Sequence, residues 1–310
     1  MNRSGCDFGR EGVAVLSETD GLFDAELLKK IERLSIVARK SLAGRSAGKR
    51  RSPRRGSSVE FADYRNYTSG DDFRQIDWNA YARFERLYLK LFMEEQDTTV
   101  HAFVDTSRSM EWGTPSKARL ARQLAGALAY LGLTSFDNVG LGSLGAGLER
   151  YYPPVRRRGE IWRIFEFLEG LPVADETDLN RSLRDFGRYR RGPGIVFVIS
   201  DFLAPGGYRE GLSHLRAMGQ EVIAIQVLSA DEVAPEMAGD LRLVDVESGL
   251  AQDVSVTPGL LRAYRERLAA YTGEIEDFCR RRESAFLQVL SSDKADEVVA
   301  RSLRRAGIVR

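Results

Sequence analysis

The sequence is poor in the residues that most metal and disulfide chemistry requires. It has 2 cysteines and 2 histidines in 310 residues. Cys6 and Cys279 cannot build a disulfide framework, and no C-x-x-C pair is present to hold zinc. His101 lies inside an apolar run and His214 is the other histidine, so they support no Ser-His-Asp arrangement. Long hydrophobic runs are missing too. Nothing approaches the roughly 18 consecutive apolar residues of a membrane span. The first residues contain no apolar segment of signal-peptide length. These absences predict a soluble, cytoplasmic protein, and leave open a peripheral attachment to a membrane through partners. An excess of one charge is also lacking: 46 Lys and Arg stand against 45 Asp and Glu, for a net charge of +1. That balance argues against a uniformly basic nucleic-acid binder. What is there is 43% hydrophobic and 29% charged, enough for a sizeable core under a soluble surface.

The chain divides into three parts. Residues 1–44 read as an N-terminal helical extension. Asp24 can cap a helix over 24–43, with Leu27, Leu28, Ile31, Leu34 and Val37 at helical spacing. A basic run spans 39–55, with Arg39, Lys40, Arg45, Lys49, Arg50, Arg51, Arg54 and Arg55 among small residues. It reads as an exposed segment. Residues 45–96 form a polar, aromatic-rich upstream segment expected to pack on a sheet domain at 97–310, with a strand expected within Phe84 to Phe92. From residue 97 onward, apolar strands alternate with helical patterns. Val100–Val104, Ile195–Ile199, Val222–Leu228 and Ala285–Leu290 are apolar strands, and Val139–Leu144 with Glu149–Tyr152 suggests a hairpin. Helices are expected after Thr114 as cap with Pro115 first, with Leu120, Leu124, Leu128 and Leu131 on one face. More are expected at Ile161–Leu168, Leu179–Phe186, 205–218 and 294–305. Leu261, Tyr264, Leu268, Tyr271, Ile275 and Phe278 form the stripe of a long amphipathic helix, expected to pack on the sheet. The pattern predicts an α/β fold with a doubly wound, mainly parallel sheet, and a small β-hairpin insertion at about 241–256.

Three apparent motifs do not hold. Gly44 to Lys49 has three residues between its glycines, and Arg50 follows the lysine, so it is no phosphate loop. Gly140, Gly142 and Gly145 match G-x-G-x-x-G but lack the strand before and the helix after, and read as glycines in a strand and turn. Ser291 to Lys294 matches S-x-x-K without its companion motifs.

One constellation remains. Asp105, Ser107 and Ser109 follow directly on the strand ending at Val104, at a strand carboxyl end where ligands of open α/β sheets bind. Asp201 follows the strand Ile195–Ser200, and Thr177 precedes a helix. Two carboxylates and three hydroxyls are hard oxygen donors, suited to Mg²⁺ rather than zinc. The set Asp105-x-Ser107-x-Ser109, Thr177 and Asp201 resembles the metal-ion-dependent adhesion site of von Willebrand factor A domains. Upstream, Glu60-Phe-Ala-Asp-Tyr-Arg65, then Tyr67, Gly70, Asp71, Asp72, Arg74, Asp77, Trp78 and Arg83 resemble the bacterial domain of unknown function 58 family, whose members join such a segment to a von Willebrand A-like domain. The resemblance covers about residues 45–310. It implies a metal site at the five donors, holding Mg²⁺, Mn²⁺ or Ca²⁺, and a partner among MoxR-type AAA+ ATPases that assemble or activate protein complexes. It leaves the upstream motif open between a buried ion and hydrogen-bond network of Asp71, Asp72, Arg74 and Asp77 that locks the upstream segment onto the sheet and a partner-binding surface. Interleaved Phe73, Ile76 and Trp78 favour the structural option.

The expected function is therefore that of a non-enzymatic, metal-dependent protein–protein interaction module, whose cation accepts an acidic residue from a protein ligand. One alternative is a Mg²⁺-dependent phosphoryl-transfer or phosphatase-like enzyme with Asp105 as nucleophile. Its expected second acid, two residues on, is Ser107 instead. Another alternative is nucleic-acid or anionic-surface binding through 39–55, but that run has no interleaved aromatics for base stacking. Arg108, inside the loop, would either compete with a cation or point outward to select an acidic partner.

Overall fold

A computed structural model describes residues 22–23, 26–32, 60–68, 71–93, 99–135, 137–189, 192–244 and 251–305. Residues 26–32 are helical (α1). The upstream unit is β1 (Glu60–Asn66), α2 (Trp78–Phe84) and β2 (Tyr88–Met93), with β1 and β2 antiparallel. The expected strand from Phe84 thus starts four residues later. Phe84 instead ends α2, which stops at Glu85 in a left-handed conformation (φ 51°). The basic run 39–55, Gly70, and all of 24–43 beyond 26–32 lie outside the described residues.

The main sheet holds β3 (Thr99–Asp105), β4 (Asn138–Leu144), β5 (Leu148–Val155), β6 (Gly194–Ser200), β7 (Gln220–Leu228) and β10 (Ala285–Leu290). Its order is β10-β7-β6-β3-β4-β5, parallel except for the edge strand β5. Alternate strand residues point to opposite faces, and each face has its own core. Val100, Ala102, Val104, Phe197, Ile199, Ile225 and Leu287 meet α3 (Lys117–Thr134), α4 (Ile161–Glu169) and α9 (Ala295–Arg305) on one side. Phe103, Val196, Val198, Ala224 and Phe286 meet α5 (Leu179–Asp185), α6 (Arg209–Ala217) and α8 (Pro258–Arg281) on the other. A parallel sheet covered on both faces is the doubly wound arrangement. Helix α7 (Ala230–Val233) and the antiparallel hairpin β8 (Gly239–Val244) and β9 (Ala251–Val256) lie between β7 and α8. That hairpin is the insertion expected at 241–256. No helix among the described residues is long and apolar enough to cross a membrane.

Three local expectations change. Helix α3 starts at Lys117, with Ser116 as its cap accepting from the Arg119 amide, rather than at Thr114 and Pro115. Helix α6 starts at Arg209 instead of 205. The stripe along α8 is only half covered: Ile275 and Phe278 are buried, while Tyr264 is 41% exposed. A 24-residue helix spans about 36 Å, longer than the sheet strands beneath it. The glycines of β4 have a steric reason: a Cβ on Gly140 would lie 2.8 Å from the His101 ring, and one on Gly142 2.7 Å from that of Phe103. Phe23 anchors the N-terminal segment, stacking on Phe165 at 3.9 Å over Gly126 of α3.

Candidate functional site

The sheet reverses its winding between β3 and β6. From β3 the chain winds outward to β4 and β5, then returns to β6 on the other flank of β3. A crevice opens at the carboxyl end of such a switch point, where open α/β sheets bind ligands. Asp105 ends β3 and Asp201 follows β6, so the two carboxylates flank that crevice. The structure brings all five predicted donors together. The Ser107 amide (3.0 Å) and the Thr177 hydroxyl (2.9 Å) donate to Asp105 Oδ1. Ser107 Oγ and Ser109 Oγ are 3.0 Å apart, and Ser109 Oγ donates to Asp201 Oδ2 at 2.8 Å. Ser107 and Ser109 thus link the two aspartates in one hydrogen-bonded chain, with Thr177 joined to it at Asp105. Asp105, Ser107, Thr177 and Asp201 are buried, and Ser109 is half-buried. Arg108 points outward and pairs with Asp175 at 2.6 Å.

Four side chains outside the predicted set complete the network. Ser200 Oγ donates to Asp105 Oδ2 at 2.6 Å and accepts from the Phe202 amide. Gln226 holds the Asp201 carbonyl at 3.1 Å. Lys117 Nζ donates to Asp201 Oδ2 at 2.8 Å and to Glu232 Oε1 at 2.6 Å. Ser200 precedes Asp201 directly, a signal the sequence contained. Lys117 and Glu232 gave none, being distant from both strand ends in sequence.

Electrostatics follow from this packing. Burial and then the nearby Asp201 carboxylate push the Asp105 carboxyl above its ordinary range, against the hydrogen bonds from Ser200 and Ser107 that favour its charged form. A cation between the aspartates would relieve that repulsion. Burial alone would lower the Lys117 ammonium, but Asp201 and Glu232 together outweigh it and hold it above its usual value. No group of three or more His, Cys, Asp or Glu among the described residues is placed to hold a metal ion. Any cation here would rest on two carboxylates and neutral hydroxyls, a donor set that fits Mg²⁺ with retained water.

The upstream motif has a different geometry. Asp77 caps α2, accepting from the Asn79 and Ala80 amides, and takes the Tyr64 hydroxyl at 2.7 Å. Asp71 accepts from the Thr68 amide and hydroxyl and from Arg65. Asp72 caps the short turn at Arg74. These bonds close within the upstream unit. Ile76 is buried as expected, but Phe73 and Trp78 are 65% and 60% exposed, and Arg74 and Arg83 are exposed. Two of the three residues expected to pack therefore do not.

A family model described as "Protein of unknown function DUF58" matches residues 63–274. The chain belongs to the DUF58 family. The match takes in all five donors and the upstream motif from Tyr67 to Arg83, and is narrower at both ends than the expected 45–310. This DUF58 chain is 27% identical over 257 residues to uncharacterized proteins of Mycobacterium tuberculosis and Mycobacterium bovis, covering 81% of each chain. Among solved structures it is similar to an aerotolerance-related membrane protein from Bacteroides fragilis. That likeness is 16% identical with a TM-score of 0.45, and covers 68% of this chain and 98% of the other.

Proposed function

We propose that this DUF58 chain is a non-enzymatic, metal-dependent protein–protein interaction module with a von Willebrand factor A-like sheet domain. The observation that carries the reading is the convergence of Asp105, Ser107, Ser109, Thr177 and Asp201 in one hydrogen-bonded network at the sheet's switch point. These five residues would hold Mg²⁺, or another hard cation such as Mn²⁺ or Ca²⁺. The bound cation supplies a Lewis-acid position for an acidic side chain of a partner. Asp105 and Asp201 supply the negative charge, and the hydroxyls add neutral oxygen donors. A MoxR-type AAA+ ATPase fits as one partner, and a complex under assembly or activation as the other. Ser107, where a phosphoryl-transfer site of this kind would carry its second acid, weighs against a phosphoryl-accepting nucleophile at Asp105.

The test is capture from a lysate of the native host, with Mg²⁺ or with EDTA. The expected result is co-purification of an AAA+ ATPase or its target in Mg²⁺ only, lost in Asp105→Ala. Equal recovery from wild type and variant under both conditions would overturn the proposal.

A further inference from the structure

Lys117 has no exposed side-chain surface, and it stands in the first turn of α3, where the helix dipole disfavours a cation. Buried lysines persist where anions pair with them. Its ammonium lies on Asp201 Oδ2, the same oxygen that Ser109 reaches. On its other side is Glu232, fixed by a capping box in which Glu232 Oε2 accepts from the Ser229 amide at 2.7 Å and Ser229 Oγ accepts from the Glu232 amide at 3.2 Å. The lysine is thus held between an anion of the five-donor site and an anion outside it.

We infer that Lys117 is the resident counter-cation of the five-donor site, and that a divalent metal binds there in competition with its ammonium. The inference rests on the proposed metal site and adds its regulation. While the ammonium sits on Asp201, part of the charge a metal needs is already neutralised. Glu232 sets the balance: its carboxylate draws the ammonium outward and adds negative charge near the site. Binding is therefore conditional, and any partner that engages Glu232 or shifts α7 changes metal affinity.

Two substitutions separate this from a purely structural ion pair. Lys117→Met removes the competing charge and keeps the chain length. Glu232→Gln removes the outer anion and keeps a side chain that can still serve the capping box. Mn²⁺ is titrated calorimetrically into the full chain, with thermal melts in EDTA to verify folding. Removing one unit charge within a few ångströms of a dication is worth on the order of tenfold or more, even at a water-like dielectric constant. Lys117→Met is expected to bind Mn²⁺ at least about tenfold more tightly than wild type, by that estimate. Glu232→Gln is expected to bind it more weakly, and the double variant to fall between the two. A structural pair would weaken binding in both single variants, and that result overturns the inference. So does unchanged affinity in Lys117→Met beside a wild type that binds. If Lys117→Met does not fold, Lys117→Gln, which keeps an amide that can donate to both carboxylates without the charge, takes its place, and binding no tighter than wild type there overturns the inference, as does equal or tighter binding in Glu232→Gln. Silence from wild type and both single variants overturns the metal reading itself. Silence from wild type with binding by Lys117→Met supports the competition.

Discussion

His101 offers a quantitative test of the strand that presents the site. It lies on β3 four residues before Asp105, on the face of Phe103, packed against Phe186 and stacked near Tyr151. Its Nε2 meets the Tyr151 hydroxyl at 3.2 Å, while Nδ1 is buried with no hydrogen-bond partner among the described residues. Burial lowers its pKa from 6.5 to about 4. The folded state therefore keeps the ring neutral while the unfolded chain takes up a proton below 6.5. Because the folded value is the depressed one, stability is fully present above 6.5 and is lost as pH falls. The loss is about 1.4 kcal/mol per pH unit until the folded ring also titrates. Over the interval from 6.5 to about 4, that sums to about 3 kcal/mol.

The perturbation is His101→Leu, which removes the proton site and the orphaned Nδ1 at similar volume. It also removes the His101 hydrogen bond to Tyr151, so at pH 7 the two effects oppose each other at about 1–3 kcal/mol each. The assay is urea unfolding of both proteins at pH 7, 6, 5 and 4. Other carboxylates titrate in both chains and cancel in the difference. The stability of wild type relative to the variant is expected to fall by about 3 kcal/mol from neutral to the lowest pH. Parallel pH profiles would refute the reasoning, since they would mean that His101 titrates alike in the folded and unfolded chains.

Two further outcomes are expected. Gly126→Val puts a branched side chain where even a Cβ would lie 2.2 Å from the Phe23 ring. It should cost about 1–3 kcal/mol as overpacking and release the N-terminal segment to limited proteolysis; an unchanged cleavage pattern would show that Phe23 does not anchor it. Asp77→Ala removes the α2 cap and the acceptor of the Tyr64 hydroxyl, costing about 1 kcal/mol from the cap alone. Hydrogen exchange should quicken in α2 and leave β3 and β6 unchanged, whereas loss of protection in the central sheet would show that the upstream acids brace it after all.

The sheet was legible because its strands are buried on both faces. Runs such as Ile195–Ile199 then lose the polar alternation of a half-exposed strand and stand out as continuous apolar segments. Four of the five donors were legible for a related reason: the Asp105–Ser109 loop and Asp201 each follow such a run at once, whereas Thr177 precedes α5 and is placed by no strand end. Short-range signals misled where tertiary packing decides. Phe73 and Trp78 read as core by their interleaving with Ile76, yet the hairpin and α2 bury only Ile76. Asp71, Asp72 and Asp77 each accept from backbone amides within a few residues, local roles that turn and cap chemistry gives to aspartate.

Lys117 marks the limit of such reading. A lysine after a capping serine looks like a solvated helix-start residue, and its neighbours in sequence give no reason to bury it. Its position is decided by Asp201 and Glu232, which are 84 and 115 residues away along the chain. Each has its own local role in sequence, as a strand-end carboxylate and as the acid of a capping box. Only when β6 and β7 lie side by side do the two acids come close enough to hold one ammonium between them. A buried charge that depends on two distant elements is a property of the topology, and so the ammonium that neutralises part of the site is one no local pattern could have nominated.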